Sequence, residues 1–423
     1  MRIAVIGAGI SGLASAWRLS RTHDVTLFEA NDYLGGHTHT HEIDLPGRRY
    51  AVDSGFIVFS PRHYPLFTRL LDELGVASQP TTMSFSVHNE ATGLEYNAAR
   101  LDTLFCQRRN LLSPRFLGMV RDLLRFYREA PALLAREDRG PTLGEYLSTH
   151  GYGAAFRDDH LVPMASALWS SPPTQILEFP ARYLVQFMRN HQMLDLSGRP
   201  EWRVVRGGSA SYVRALRERW RVRERPRCAV RAVRRDAGGV LLSHAEGQER
   251  FDHAVLACHA DQSLALLADA SAAERAILGA IRYQPNEAVL HTDATLLPRA
   301  RKAWAAWNAF VPREPGAPCT VSYCMNLLQD LDAPVPFVVT LNRRAAIDPR
   351  KILRTVVYQH PVYTQAAVEA QRRRAEIQGV NRTWFAGAYW GWGFHEDGMR
   401  SALELAEALD ARCAHRQTGR FAA

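Results

Sequence analysis

The chain has 423 residues, 47% hydrophobic and 22% charged, a globular composition too long for one simple core and expected to fold as two intertwined domains. Its net charge of +9 comes almost wholly from arginine, Lys302 and Lys351 being the only lysines; with no helix-turn-helix, zinc-finger or RNA-binding signature, no nucleic-acid partner is expected. Six scattered cysteines (Cys106, Cys228, Cys258, Cys319, Cys324, Cys413) form no Cys-x-x-Cys pair, which argues for reduced thiols, and no run nears the roughly 20 apolar residues of a membrane span, so a cytoplasmic protein is expected.

Arg2-Ile3-Ala4-Val5-Ile6 reads as a short strand, and Gly7-Ala8-Gly9-Ile10-Ser11-Gly12 follows without a gap. A helical pattern comes next, then the strand Val25–Phe28 ending in Glu29 and Ala30. Strand, glycine turn, helix, strand and carboxylate is the order a dinucleotide site requires. Gly7 permits the turn, Gly9 lets backbone approach a pyrophosphate, and Gly12 allows helix to pack on strand. Unpaired amides of Ile10 and Ser11 face the phosphates, and Glu29, 17 residues after Gly12, can accept from an adenosine ribose. An ordinary glycine turn would leave that acid unexplained. Three glycines also interrupt the apolar stretch, against a secretion signal.

Gly35-Gly36-His37-Thr38-His39-Thr40 follows after a short loop. On a strand His37, His39 and His41 would share one face, with Glu42 and Asp44 near, as metal ligands could stand. The plainer reading has these histidines packing or lining a polar edge, and no metal is expected. Residues 98–200 are mainly helical. Within them Leu111–Arg128 alternates Arg115, Arg121, Arg125 and Arg128 with bulky apolar residues. That pattern fits a helix lying peripherally on an anionic lipid surface, and equally an amphipathic helix packed on its own domain with a solvated basic face. Strands are expected at Cys228–Val233, Val240–His244, Phe251–Cys258, Glu287–His291 and Phe337–Leu341, and a last helix from Met399 to Arg412.

The motifs resemble the flavin-dependent amine oxidase superfamily, which includes monoamine oxidases, protoporphyrinogen oxidases and phytoene desaturases. Gly35-Gly36-His37 resembles its Gly-Gly-Arg segment with a histidine for the arginine. Asp53-Ser54-Gly55-Phe56 resembles its Asp-x-Gly-Gly, Val205-x-Gly207-Gly208 its mid-chain Gly-Gly, and Ala386-Gly387-Ala388 its Ala-Gly-Glu. Asn190-His191, Arg199-Pro200-x-Trp202 and Trp390–Gly398 are similar to a bacterial subfamily of flavin oxidoreductases associated with cyclopropane-fatty-acid synthase-like enzymes. The resemblance implies an α/β fold: a doubly wound, Rossmann-like FAD-binding domain (1–75, 205–275 and 376–423) with a discontinuous α+β substrate domain (76–204 and 276–375). It implies FAD bound by Gly7, Gly9, Ile10, Ser11, Gly12, Glu29, Ala30, Gly35, Gly36, His37, Thr38, Val230, Gly387, Gly398 and Met399.

The last helix would then aim its N-terminus at the flavin N1–C2=O edge, which makes His395 and Glu396 the candidate catalytic residues. Helix capping by Glu396 or Asp397 is the alternative. With one dinucleotide fingerprint, reoxidation by dioxygen, a quinone or a protein acceptor is expected. The stretch Pro285–Val289 lacks the lysine that the superfamily's amine oxidases place near flavin N5. Hydride removal from an apolar, lipid or fatty-acyl substrate is therefore the leading expectation. A non-redox flavin isomerase or mutase, and a flavin-binding partner of a lipid-modifying methyltransferase, remain as alternatives.

Overall fold

In the computed structural model of the chain, Arg2–Ile6 (β1) is buried along almost its whole length, as a strand covered on both faces must be. The structure describes residues 1–135, 140–169, 172–195, 198, 200–314 and 317–420, with side chains of the last helix described through Arg412. Arg199 of the Arg-Pro-x-Trp motif and the side chain of Cys413 lie outside the described residues. β1 leads through the glycine turn into Ile10–Leu19 (α1) and then Asp24–Phe28 (β2). Five parallel strands form the central sheet in the order Val222–Arg225, β2, β1, His253–Leu256, Thr383–Phe385. Chain order reverses between β1 and His253–Leu256, and such a switch point opens a crevice at the carboxyl ends of the strands. The doubly wound α/β fold is borne out.

Beside this sheet lies a three-stranded antiparallel one, Val230–Asp236, Gly239–His244 and Gly247–Phe251. A mixed seven-stranded sheet is built largely from residues 282–362, the long pair Arg282–His291 and Ile352–Val362 at one edge and Phe85–Asn89 with Leu94–Asn97 at the other. Helices between Pro114 and Asn190 pack on it around Phe116, Phe126, Phe156 and Phe187.

Three local readings are corrected. The run Phe251–Cys258 divides at Asp252, whose carboxylate accepts the Arg2 amide at 2.7 Å and turns the chain from one sheet into the other. The strand after the paired glycines begins only at Thr40, so His37 and His39 precede it and the three histidines do not share a strand face. The last helix begins at His395, four residues before the expected start. Asp397 Oδ2 accepts the amides of Trp392 and Phe394 and anchors that early start.

Candidate active site

The glycines of the first turn are fitted to one another. Gly7 has φ +98°, in the region that favours glycine. A Cβ on Gly12 would stand 1.8 Å from the Gly7 carbonyl oxygen, and one on Gly36 2.9 Å from Gly9 Cα. Gly9 differs: its backbone is ordinary, φ −71°, and a Cβ there would meet nothing within 4 Å. No side chain caps α1, so its first amides, at Ile10 and Ser11, open beside that space. Glu29 is buried at the end of β2, where Oε2 accepts the Ala8 amide at 2.8 Å and Oε1 the Asn31 amide at 2.8 Å. Ala30, the next residue, is exposed. Val230 opens the adjacent antiparallel strand, and the Cys228 amide donates to the Glu29 carbonyl at 2.9 Å. Backbone donors, a clear approach over Gly9 and a carboxylate at the strand end fit the diphosphate and ribose of FAD.

Other glycine motifs close around this loop. Gly35 donates to the Ala8 carbonyl at 2.8 Å. A Cβ on Gly55 would lie 2.2 Å from the His37 carbonyl oxygen, and one on Gly208 2.4 Å from Thr40 Cγ2. Asp53 binds these pieces together, accepting from Thr40 Oγ1 at 2.5 Å and from the Ser209 amide at 3.0 Å. Burial pushes its carboxyl up to about 6. Gly387 donates its amide to Ser401 Oγ at 2.9 Å. A Cβ on Gly398 would strike Ile10 Cγ2 at 2.7 Å and Ser11 Oγ at 2.9 Å, so that glycine lets the first turn of the last helix meet the first turn of α1. Two helix N-termini converge there, where anionic groups are favoured. Met399 is buried in the core with Ile10 and Leu13.

His395 is enclosed between these elements. Its ring stacks on Phe56 with centroids 3.5 Å apart and 9° between planes, and Phe67 meets it edge-on. Nε2 lies 3.0 Å from Thr38 Oγ1 and 3.2 Å from the Tyr212 hydroxyl, which are themselves 2.5 Å apart. Burial lowers its pKa to about 3, so the imidazole is neutral at physiological pH. Glu396 directs both carboxylate oxygens at the amides of Leu66 and Phe67, at 2.9 and 3.1 Å, and so caps the neighbouring helix Pro65–Leu74 (α2).

His37 leaves its sequence neighbours and joins residues that the sequence did not single out. Its ring centroid lies 5.3 Å from that of His360, 6.1 Å from His259 and 4.8 Å from Tyr358. His360 Nδ1 contacts Asn286 Nδ2 at 2.8 Å. Burial holds His37 well below the ordinary histidine range and His360 at about 4. His259, directly after the Ala257-Cys258 strand end, and Asn286, in the stretch that the resemblance puts near flavin N5, carried a positional signal; His360 carried none. His39 stacks on Tyr33, His41 Nε2 bonds Ser54 Oγ at 2.8 Å, and Glu42 and Asp44 pair with Arg49 on the exposed side.

A doubly wound sheet with a glycine cradle at its switch point defines a dinucleotide-binding α/β protein. Residues 10–296 match the flavin containing amine oxidoreductase family, and the chain belongs to that family. Tryptophan 2-monooxygenase of Pseudomonas savastanoi is 37% identical over 82 residues, 19% of this chain; the chain spans only 14% of that relative's length. Cyclohexylamine oxidase from Brevibacterium oxydans superposes with a TM-score of 0.68 at 17% identity, covering 97% of this chain and 99% of the other. A fatty acid isomerase from P. acnes that produces CLA gives 0.66 at 18% identity, over 96% and 98%. These solved structures share the fold, and the family's cofactor is flavin.

Proposed function

We propose that the protein is an FAD-dependent oxidoreductase that removes hydride from an apolar, lipid or fatty-acyl substrate. The observation that carries this reading is the chemistry around His395: a neutral, desolvated imidazole on an aromatic wall, with both adjoining carboxylates engaged by backbone amides. Such a site offers no free charge to a polar substrate and excludes water. FAD, when bound, supplies the hydride acceptor. The first amides of α1 would hold its diphosphate, and Glu29 its ribose. His395 holds the Thr38 and Tyr212 hydroxyls in one arrangement; with a pKa near 3 it serves as a neutral hydrogen-bonding group rather than a proton store. Glu396 positions α2, whose Phe67 closes on the His395 ring. The two electrons removed would pass on to dioxygen, a quinone or a protein acceptor.

Anaerobic titration of the holoprotein with unsaturated and saturated fatty acids and phospholipids tests this. Stoichiometric bleaching of flavin absorbance, with a product two electrons more oxidised, is expected. The isomerase reading shares the cradle, and the P. acnes isomerase shows that the fold can hold such a protein. A rearranged product without net flavin reduction would establish that alternative. Bound lipid with neither result would point to an accessory role.

A further inference from the structure

Among the described residues the large exposed apolar side chains are unevenly spread: Leu101, Leu111, Leu112, Leu117 and Leu124 all fall within one short segment, and Leu112 is 88% exposed. The Pro114–Glu129 helix explains part of this. Phe116, Met119, Asp122 and Phe126 face inward, whereas Leu117, Arg121, Leu124 and Arg128 recur at helical spacing on the outer face. Arg121 and Arg128 have side chains 78% and 76% exposed, and among the described residues each pairs only with a sequence-adjacent acid. Leu111 and Leu112 sit in the 3₁₀ turn Arg108–Leu112 that leads into the helix. Residues 100–128 hold seven arginines against two aspartates, one of them the buried Asp122.

We infer that this face docks on an anionic lipid bilayer, the leucines entering the acyl boundary while Arg121 and Arg128 meet headgroup phosphates. Alternation of exposed leucine and arginine on one stripe suits that surface. A polyanion such as nucleic acid would leave the leucines without a role. A second copy docked through the same patch about a two-fold axis would set arginines against arginines. No described helix is long and apolar enough to cross a membrane, so the contact is peripheral. The face is preformed: Ser113 Oγ accepts the Phe116 amide at 3.3 Å, and Asp122 accepts the Gly153 amide at 2.9 Å. Two arginines that the sequence assigned to headgroups hold the helix instead. Arg115 pairs with buried Asp159 at 2.7 Å, and Arg125 pairs with Glu129, donates to the His150 carbonyl and covers the Tyr152 ring.

Co-sedimentation of the full-length holoprotein with vesicles tests the inference without reference to the substrate. Phosphatidylglycerol vesicles at low salt should carry the protein down, and phosphatidylcholine vesicles, or high salt, should release it. Arg121→Gln with Arg128→Gln should weaken binding by about fivefold per arginine. Leu112→Asp with Leu117→Asp should abolish it, and because all four positions are exposed, unchanged melting temperature and flavin content would show the fold intact. Absence of binding to the anionic vesicles overturns the proposal. So does binding indifferent to all four substitutions, or a dimer in sedimentation velocity that the leucine substitutions dissolve while vesicles bind nothing.

Discussion

At the scale of single residues the structure separates glycines that shape the fold from one kept open for a ligand. Gly12 and Gly36 have no room for a Cβ, whereas Gly9 has free space and a backbone that any residue adopts. Gly9→Val should therefore fold, with unchanged far-ultraviolet circular dichroism, yet purify without flavin because the side chain occupies the diphosphate path. A Gly9→Val protein that retains FAD would remove the cradle from its assigned role. His395 belongs to the same scale. His395→Ala should keep FAD and slow substrate-driven flavin reduction by about tenfold to a hundredfold, a scale typical of a lost positioned group. Its neutral state has a further consequence: the wild-type rate between pH 5 and 8 should show no ionisation from this residue. A rate profile that loses a step near pH 6.5 in His395→Ala would make it a titrating base. The residues of this site were legible wherever a motif was local. Tyr212 and His360 were not, because their relation to Thr38 and His37 exists only after a distant helix and strand have been packed against them.

At the scale of elements, the last helix is tied to α2 by Glu396. The sequence offered capping as an alternative for this carboxylate, but not of a helix 330 residues earlier, a relation set by tertiary packing. Pro at the first position of α2 removes one orphan amide, Tyr64 before it supplies no side-chain cap, and Glu396 takes the next two. Glu396→Ala should lower stability by about 1–2 kcal/mol, read as a lower urea midpoint at unchanged slope. Glu396→Gln should recover only part of that loss, since an amide presents one oxygen to two N–H donors. Equal stability of all three proteins would show that α2 is held by its apolar face alone. Element boundaries failed where tertiary contacts outweigh local pattern. The last helix, expected from Met399, starts at His395 and so takes Gly398 into its first turn, where the missing side chain admits α1.

At the scale of the whole molecule, β1, β2 and His253–Leu256 were legible as buried apolar runs, whereas the charged edge strand Val222–Arg225 gave no such signal, and the mixed seven-stranded sheet was far less legible. Its strands, from residues 85 to 362, pair out of chain order, which periodicity cannot reveal. Those long-range packings bury many imidazoles in their neutral form. Burial lowers His41, His160, His191, His291 and His360 to about 4 and His395 to about 3. In each case the unfolded chain binds a proton near the ordinary value of 6.5 while the folded chain does not. Stability from these groups is therefore complete above about pH 6.5 and falls as pH drops through the interval down to the folded values. Asp53, raised to about 6, acts in the opposite sense, as do Asp159, Glu396 and Asp397, also raised by burial: such carboxyls favour folding at low pH and lose that contribution as pH rises through their folded values. The lowered histidines, His37 and His259 among them, outnumber the raised carboxyls, so thermal melts of the flavin-loaded protein should show a falling midpoint from about pH 6.5 downward, with proton uptake on unfolding. A midpoint flat or rising from pH 6.5 to 5 would mean that the buried imidazoles are already protonated in the folded protein, and the neutral His395 on which the proposed site chemistry rests would have to be abandoned.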